Sequence, residues 1–361
     1  MKYYMPVKIY DEYGAVEKHA GELASFGKKA LIVTGRTSAV KCGALADVTE
    51  ALQQNGTEWC VFPEVEENPS VETVMKAREY GLAENADFVI GIGGGSPMDA
   101  AKAIALMMKH RDCGADRLYD ASLSSEALPV IAVPTTCGTG SEVTGVSVLT
   151  RHDKLTKGSI PQRIFPEIAL VDGKYLAAAP ETVITATALD ALAHMLESAL
   201  MKAGNDFSRM AVEKGLQVWS RSKPVLEGKR EASPADYENL LRASTFAGIA
   251  IAQTGTSIPH ALSYPVTYDI GLAHGRAVGY FLPGFLREAP EKDRLQLLSL
   301  AGFEDLEEFS AFVRGILREV NVPLSTLERG FEMVRSNPSR MKGCIFDLDE
   351  NGLKRIIWES C

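Results

Sequence analysis

The stretch Asp87-Phe88-Val89-Ile90-Gly91-Ile92-Gly93-Gly94-Gly95-Ser96-Pro97-Met98-Asp99-Ala100-Ala101-Lys102 decides the fold. It opens on a short continuous apolar run, the pattern of a strand buried on both faces. Consecutive glycines then bare the backbone. Ser96 suits a helix cap and Pro97 the first helical position, with a helix expected over 97–108. Such a helix start offers free N–H groups and a positive dipole end to a phosphate. An unliganded strand-to-helix turn would accommodate Pro97 equally well. The spacing is not the ordinary Gly-x-Gly-x-x-Gly fingerprint, because the turn follows the third buried strand and Ser96 replaces the last glycine.

Upstream, a short strand or hairpin is expected near 3–10 and a helix over 16–26. Ala30–Thr34 reads as a buried strand bounded by Gly35, and 37–54 as a helix stopped by Asn55-Gly56. Glu58–Phe62 reads as a strand, and 70–82 as a helix capped by Ser70. Downstream, Val130–Val133 and Ile168–Val171 are further strands. Strands alternating with helices imply a parallel α/β sheet, Rossmann-like in character. After Pro180 the strand-like runs end, and helices are expected over 181–201, 206–222, 234–252, 272–286, 292–301, 306–320 and 352–359. The fold class is therefore an α/β dinucleotide-type domain, residues 1–179, followed by an all-helical domain, 180–361. Substrate sites commonly lie where two domains face each other, and a cleft between these two is expected.

The helical half carries Asp190-Ala191-Leu192-Ala193-His194, then His260 and His274. Asp190 and His194 are one turn apart on one helix face. Alone, such a pair is more often a hydrogen-bonded contact than a metal site. Ala188, Leu189, Leu192, Met195 and Leu196 make this helix apolar nearly all round, so the pair is expected to be buried, and buried polar groups need partners. One carboxylate and three imidazoles suit a divalent first-row ion. Three of the chain's six histidines fall in this set.

These residues, with the turn at 93–102 and the loop Val133-Pro134-Thr135-Thr136-Cys137-Gly138-Thr139-Gly140-Ser141-Glu142-Val143-Thr144, resemble the iron-containing (group III) alcohol dehydrogenases, within the dehydroquinate synthase-like and glycerol dehydrogenase superfamily. The resemblance spans nearly the whole chain. It implies that Asp190, His194, His260 and His274 bind the metal. It implies that Gly94, Gly95 and Ser96 bind the cofactor pyrophosphate with Asp99 nearby, that Thr135 and Thr136 line the adenosine half, and that Thr144 lies near the nicotinamide. Lys157 matches the family's cofactor-side lysine, with Lys154 close enough to confuse the register. Cys137 stands where the family has alanine and reads as packing. A homodimer follows from the resemblance alone.

Composition narrows the class. A chain of 361 residues with 46% hydrophobic and 24% charged residues is globular and long enough for two domains. A net charge of −9 argues against a nucleic-acid partner. No apolar run is long enough for a membrane span, and the start lacks a signal-peptide pattern. Six cysteines without Cys-x-x-Cys pairing suggest free thiols in a reducing cytoplasm.

The resulting expectation is a metal-dependent alcohol dehydrogenase or aldehyde reductase, with a small alcohol or aldehyde as substrate. Fe(II) is favoured over Zn, because the resemblance gives the zinc glycerol dehydrogenases one Asp and two His, and His194 adds a fourth ligand. A dehydroquinate synthase-like lyase would need a cluster of basic residues, and the second half shows only scattered candidates such as Arg209 and Arg276. A non-catalytic cofactor-binding protein would have little use for four filled ligand positions. The family often has a further histidine four residues after the ligand corresponding to His260; here Tyr264 stands there. The first buried strand ends Thr34-Gly35-Arg36-Thr37-Ser38, where many family members have an aspartate. Gly35 removes that charge while Arg36 and Ser38 supply donors, which favours NADP(H) over NAD(H).

Overall fold

The computed structural model describes residues 3–154 and 156–358. The chain divides into two compact units, one comprising Met5–Pro180 and the other the remainder from Glu181 on, joined by the residues up to Tyr4.

The first unit is built on a six-stranded, wholly parallel sheet: β1 (Lys8–Asp11), β2 (Lys29–Thr34), β3 (Glu58–Phe62), β4 (Phe88–Gly93), β5 (Val130–Pro134) and β8 (Ile168–Val171), in the order β1-β8-β5-β4-β2-β3. Side chains alternate across it. Leu31, Val33, Val89 and Val130 enter one core with the helices α2 (Val71–Ala83) and α3 (Gly95–Lys109). Ala30, Ile32, Ile90 and Ile131 enter another with α1 (Ala44–Gln54). Both faces are covered, which is why these strands read as unbroken apolar runs. From β2 the chain leaves toward β3, and from the adjacent β4 it leaves toward β5. The strand order therefore reverses beside the ends of β2 and β4, the place where ligands sit in open α/β sheets. Thr34 pairs with Ile92, so Gly35, just past β2, stands beside Gly93, the last residue of β4.

Several sequence expectations change. The 16–26 helix is broken into Ala15–Lys18, Ala20–Leu23 and a 3-10 turn, and the 37–54 helix is split by Gly43 at φ 84°. The glycine-turn helix starts at Gly95, not Pro97, with Gly94 as its cap. Pro97 is tolerated at the third position because first-turn N–H groups have no partner inside a helix. Ser96 does not cap; its hydroxyl accepts from the Asn68 N–H at 3.0 Å. An antiparallel pair of strands, β6 (Val148–Arg151) with β7 (Thr156–Ser159), lies where no strand is expected from the sequence.

The second unit is helical. Its central member is α4 (Glu181–Ala199), buried along most of its length. Around it come α5 (Asp206–Ser220), α6 (Pro234–Thr254), α7 (Ile258–Ile270) and α8 (His274–Gly279). Pro259 and Pro265 hid α7 from the sequence reading. Pro259 sits harmlessly in the first turn, and Pro265 interrupts a helix whose buried face holds it in place. The expected 272–286 helix breaks at Tyr280–Phe281, just before Pro283. No helix of the described residues is long and apolar enough to cross a membrane.

Candidate active site

In the α/β unit the glycine turn and the threonine loop are pressed together. The Thr135 N–H donates to the Gly93 carbonyl at 2.9 Å. A Cβ on Gly94 would stand 2.9 Å from Thr136 Oγ1, and one on Gly95 2.7 Å from Thr139 Cγ2, so any side chain there would force the loop away. Gly94, Gly95, Ser96, Thr135 and Thr136 thus lie together at the end of β4. Lys157, on β7, joins it indirectly: its ammonium donates to Asn68 Oδ1 at 2.6 Å, and Asn68 in turn holds Ser96. Asn68 itself, at φ 59°, escaped the sequence reading.

Asp99 and Thr144 turn inward. The Asp99 carboxylate accepts from Ser141 Oγ at 2.5 Å and from the Val148 N–H at 2.8 Å. Thr144 is buried, with its hydroxyl 3.5 Å from the Lys102 ammonium. Lys102, fully buried, also donates to Ser141 O and Oγ at 2.7 Å and to Val146 O at 2.9 Å. Burial lowers its pKa, against the opposing pull of Asp99 and Glu142. Asp99 and Lys102 therefore brace the 141–148 loop. Gly35 follows β2 with room for a side chain: a Cβ there would meet only Val65 O at 3.5 Å and Ser38 Oγ at 3.7 Å. Arg36 and Ser38 beside it are exposed.

In the helical unit Asp190, His260 and His274 come together from α4, α7 and α8, each offering a donor atom within 4.8 Å of the others. Asp190 Oδ1 lies 3.5 Å from His260 Nε2 and 3.8 Å from His274 Nε2. Asp190 Oδ1 and His260 Nε2 are buried yet have no hydrogen-bond partner. A divalent cation would satisfy both, and the donor chemistry suits one. Burial opposes ionisation of Asp190, but the imidazoles of His194, His274 and His260 hold its carboxyl well below the usual range. His274 arrives by close backbone contact. A Cβ on Gly275 would fall 1.9 Å from the Ala186 carbonyl oxygen and 3.0 Å from Asp190 Cβ, so α8 lies directly on α4.

The expected fourth ligand, His194, stands beside this cluster. Its ring packs face to face on His260, with centroids 4.3 Å apart and planes 24° apart, and it is not among the three residues whose donor atoms converge. Tyr264, one turn beyond His260, lies nearly parallel to His274 at 6.3 Å. Glu197 was missed. It is fully buried, two turns beyond Asp190 on α4. One carboxylate oxygen accepts from His260 Nδ1; the other accepts from the Ser257 N–H at 2.5 Å and hydroxyl at 2.8 Å. Burial works against its charge, but these donors hold its pKa down. A glutamate inside an apolar helix, at metal-ligand phase, was the signal available.

A dinucleotide-type sheet followed by a helical unit with a carboxylate–imidazole cluster defines a class of two-part, metal-centred proteins. Comparison narrows it. Residues 6–173 match the iron-containing alcohol dehydrogenase profile, and 184–313 match the C-terminal domain of the Fe-containing alcohol dehydrogenase family. The chain belongs to this family of alcohol and aldehyde oxidoreductases. It is 32% identical over 345 residues to long-chain-alcohol dehydrogenase 1 of Geobacillus thermodenitrificans, covering 88% of this chain and 85% of that one. An iron-containing alcohol dehydrogenase structure from Thermotoga maritima superposes with a TM-score of 0.91 at 33% identity, covering 99% of both chains. Sulfoacetaldehyde reductase from Bifidobacterium kashiwanohense, solved in complex with NAD+, gives 0.86 at 25% identity, covering 99% and 98%.

Proposed function

We propose that the protein interconverts a small aldehyde and its alcohol, using a divalent metal and a nicotinamide cofactor, with NADP(H) preferred over NAD(H). The observation that carries this is the convergence of Asp190, His260 and His274 with two of their buried donor atoms unmatched. When bound, the ion supplies Lewis acidity at the substrate oxygen and the nicotinamide carries the hydride. The chain's own part is orientation and charge. Asp190 supplies a permanent negative charge to the cation. The Gly94–Ser96 backbone is bare enough to take a pyrophosphate on first-turn N–H groups. Tyr264, stacked beside His274, would donate a hydrogen bond to substrate; a phenol is a poorer proton relay at neutral pH than the imidazole it replaces. Tyr264→Phe with unchanged turnover would remove that role.

The cofactor preference rests on Gly35. The similar sulfoacetaldehyde reductase was solved in complex with NAD+. Here the missing acidic side chain and the neighbouring Arg36 favour a 2′-phosphate. Fe(II) is the favoured ion, with His194 available next to the three converging donors. The converging set of one aspartate and two histidines supports a second reading, a zinc polyol dehydrogenase. A homodimer completes the proposal.

One experiment decides among these. Enzyme loaded separately with Fe(II) and Zn(II) is assayed at 340 nm with NADPH and NADH against short aldehydes, functionalised aldehydes and polyols. Stoichiometric NADPH oxidation by the Fe(II) form supports the proposal. Full activity with zinc and a polyol supports the second reading, and no net cofactor turnover with any substrate sinks both. Gly35→Asp is expected to cut the NADPH preference ten- to a hundredfold, the range of a charge contact of about 1.5–3 kcal/mol, with metal content unchanged. Equal use of NADH and NADPH by the unaltered enzyme refutes the preference.

A further inference from the structure

We propose that Glu197 is a positioning residue: it fixes the tautomer of His260 and so aims the Nε2 lone pair at the metal. This deepens the metal-centre reading and rests on it. Glu197 takes three donors, the Ser257 N–H, the Ser257 hydroxyl and His260 Nδ1. A carboxylate is acceptor-only, so Nδ1 must carry a proton. A neutral imidazole has one ring proton; with it on Nδ1, Nε2 is left a lone pair. Nε2 is the buried atom without a hydrogen-bond partner, 3.5 Å from Asp190 Oδ1. Glu197 also acts on position. Ser257 is the residue just before α7, and His260 lies in its first turn. One carboxylate therefore ties the start of α7 to α4, the helix that carries Asp190. The same helix would meet the ion once directly, through Asp190, and once through His260.

The backbone N–H of Ser257 makes a sharp variant available. In Glu197→Gln that N–H still needs an acceptor, so the amide oxygen turns to it and the NH2 group faces His260. Nδ1 must then accept, and the ring proton moves to Nε2, where it blocks ligation. Zinc affinity, measured by competition with a chromophoric chelator, is expected to fall about 10–100-fold, as when such outer partners are lost elsewhere. Circular dichroism of Glu197→Gln is expected to match the unaltered protein. Wild-type zinc affinity in the folded variant overturns the proposal. Loss of zinc in His260→Ala alongside unchanged affinity in Glu197→Gln defeats only the role of Glu197. Unchanged zinc affinity in His260→Ala defeats the metal-centre reading itself. Should Glu197→Gln not fold, the zinc-loaded unaltered protein decides. Nitrogen-15 NMR of His260 is expected to show a protonated Nδ1 and a metal-shifted Nε2, and a ring with no proton on Nδ1 overturns the assignment.

Discussion

Each unit of this chain buries an ionic cluster, and the two are completed in different ways. Around Lys102, Nζ lies within hydrogen-bond reach of Ser141, Thr144 and Val146 oxygens, and Asp99 nearby takes Ser141 and Val148. Donors and acceptors match, so the cluster needs nothing further; it holds a loop in shape. Around Asp190 the outer edge is equally well matched, through Glu197, Ser257 and His260 Nδ1. The inner edge is not: Asp190 Oδ1 and His260 Nε2 lie 3.5 Å apart, buried, and neither has a hydrogen-bond partner. Burial alone therefore does not mark a functional charge. What marks it is a mismatch of donors and acceptors confined to one side of an otherwise satisfied network.

The contrast can be broken most severely at Lys102. Lys102→Met takes the cation 3.5 Å from Asp99 Oδ1 away and leaves the Ser141 and Val146 carbonyls without their donor, and should cost about 3–5 kcal/mol of stability, the usual penalty for removing one partner of a buried pair. Urea denaturation followed at constant m-value checks this, and added divalent metal should not restore the loss.

The open cluster should behave in the opposite way, gaining from an ion. At free Zn(II) one hundred times its Kd, the unaltered protein should be stabilised by about 2.7 kcal/mol over the chelator-treated protein. Asp190→Asn should lose that gain entirely, while His194→Ala should keep part of it. Thermal melts with and without zinc report both. An Asp190→Asn protein that gains as much as the unaltered one would show that the cluster is structural.

The smallest effect sharpens the comparison by geometry alone. Gly275→Ala keeps every candidate ligand residue but forces α8, and His274 with it, off α4, at about 1–3 kcal/mol for overpacking. It should weaken zinc binding without altering dinucleotide binding, which isothermal titration can measure side by side.

Much of this is legible in the sequence. The parallel sheet was legible because its strands are buried on both faces, and the helix of Asp190 because its polar residues interrupt an apolar surface at helical phase. Three things were not legible. The helix of His260 was masked by Pro259 and Pro265, whose local cost is overridden by burial. The helix start at Gly95 was masked because local rules favour Ser96 and Pro97, whereas contact with Thr136 and Thr139 admits only glycine before them. The resemblance puts Asp99 near the cofactor, but the direction of its carboxylate is not legible, because a motif gives spacing and not direction; its partners, Ser141 and Val148, lie more than forty residues away in sequence. Glu197 sits at the phase of Asp190 in an apolar helix, but no local pattern shows that its partners are the cap and first turn of another helix.

The contact at Gly275 has a consequence for how this protein can change over time. Where two helices are spaced by side chains, substitutions in the core can retune the distance between them. Here main chain rests on main chain, and a Cβ has no room at 1.9 Å from the Ala186 oxygen. The interval between His274 and Asp190 is thus set by a rigid stop rather than by packing. Mutations elsewhere can drift, reshaping which alcohol or aldehyde is accepted, without disturbing the ligand spacing. The chemistry is insulated from the evolution of specificity by the absence of a single methyl group.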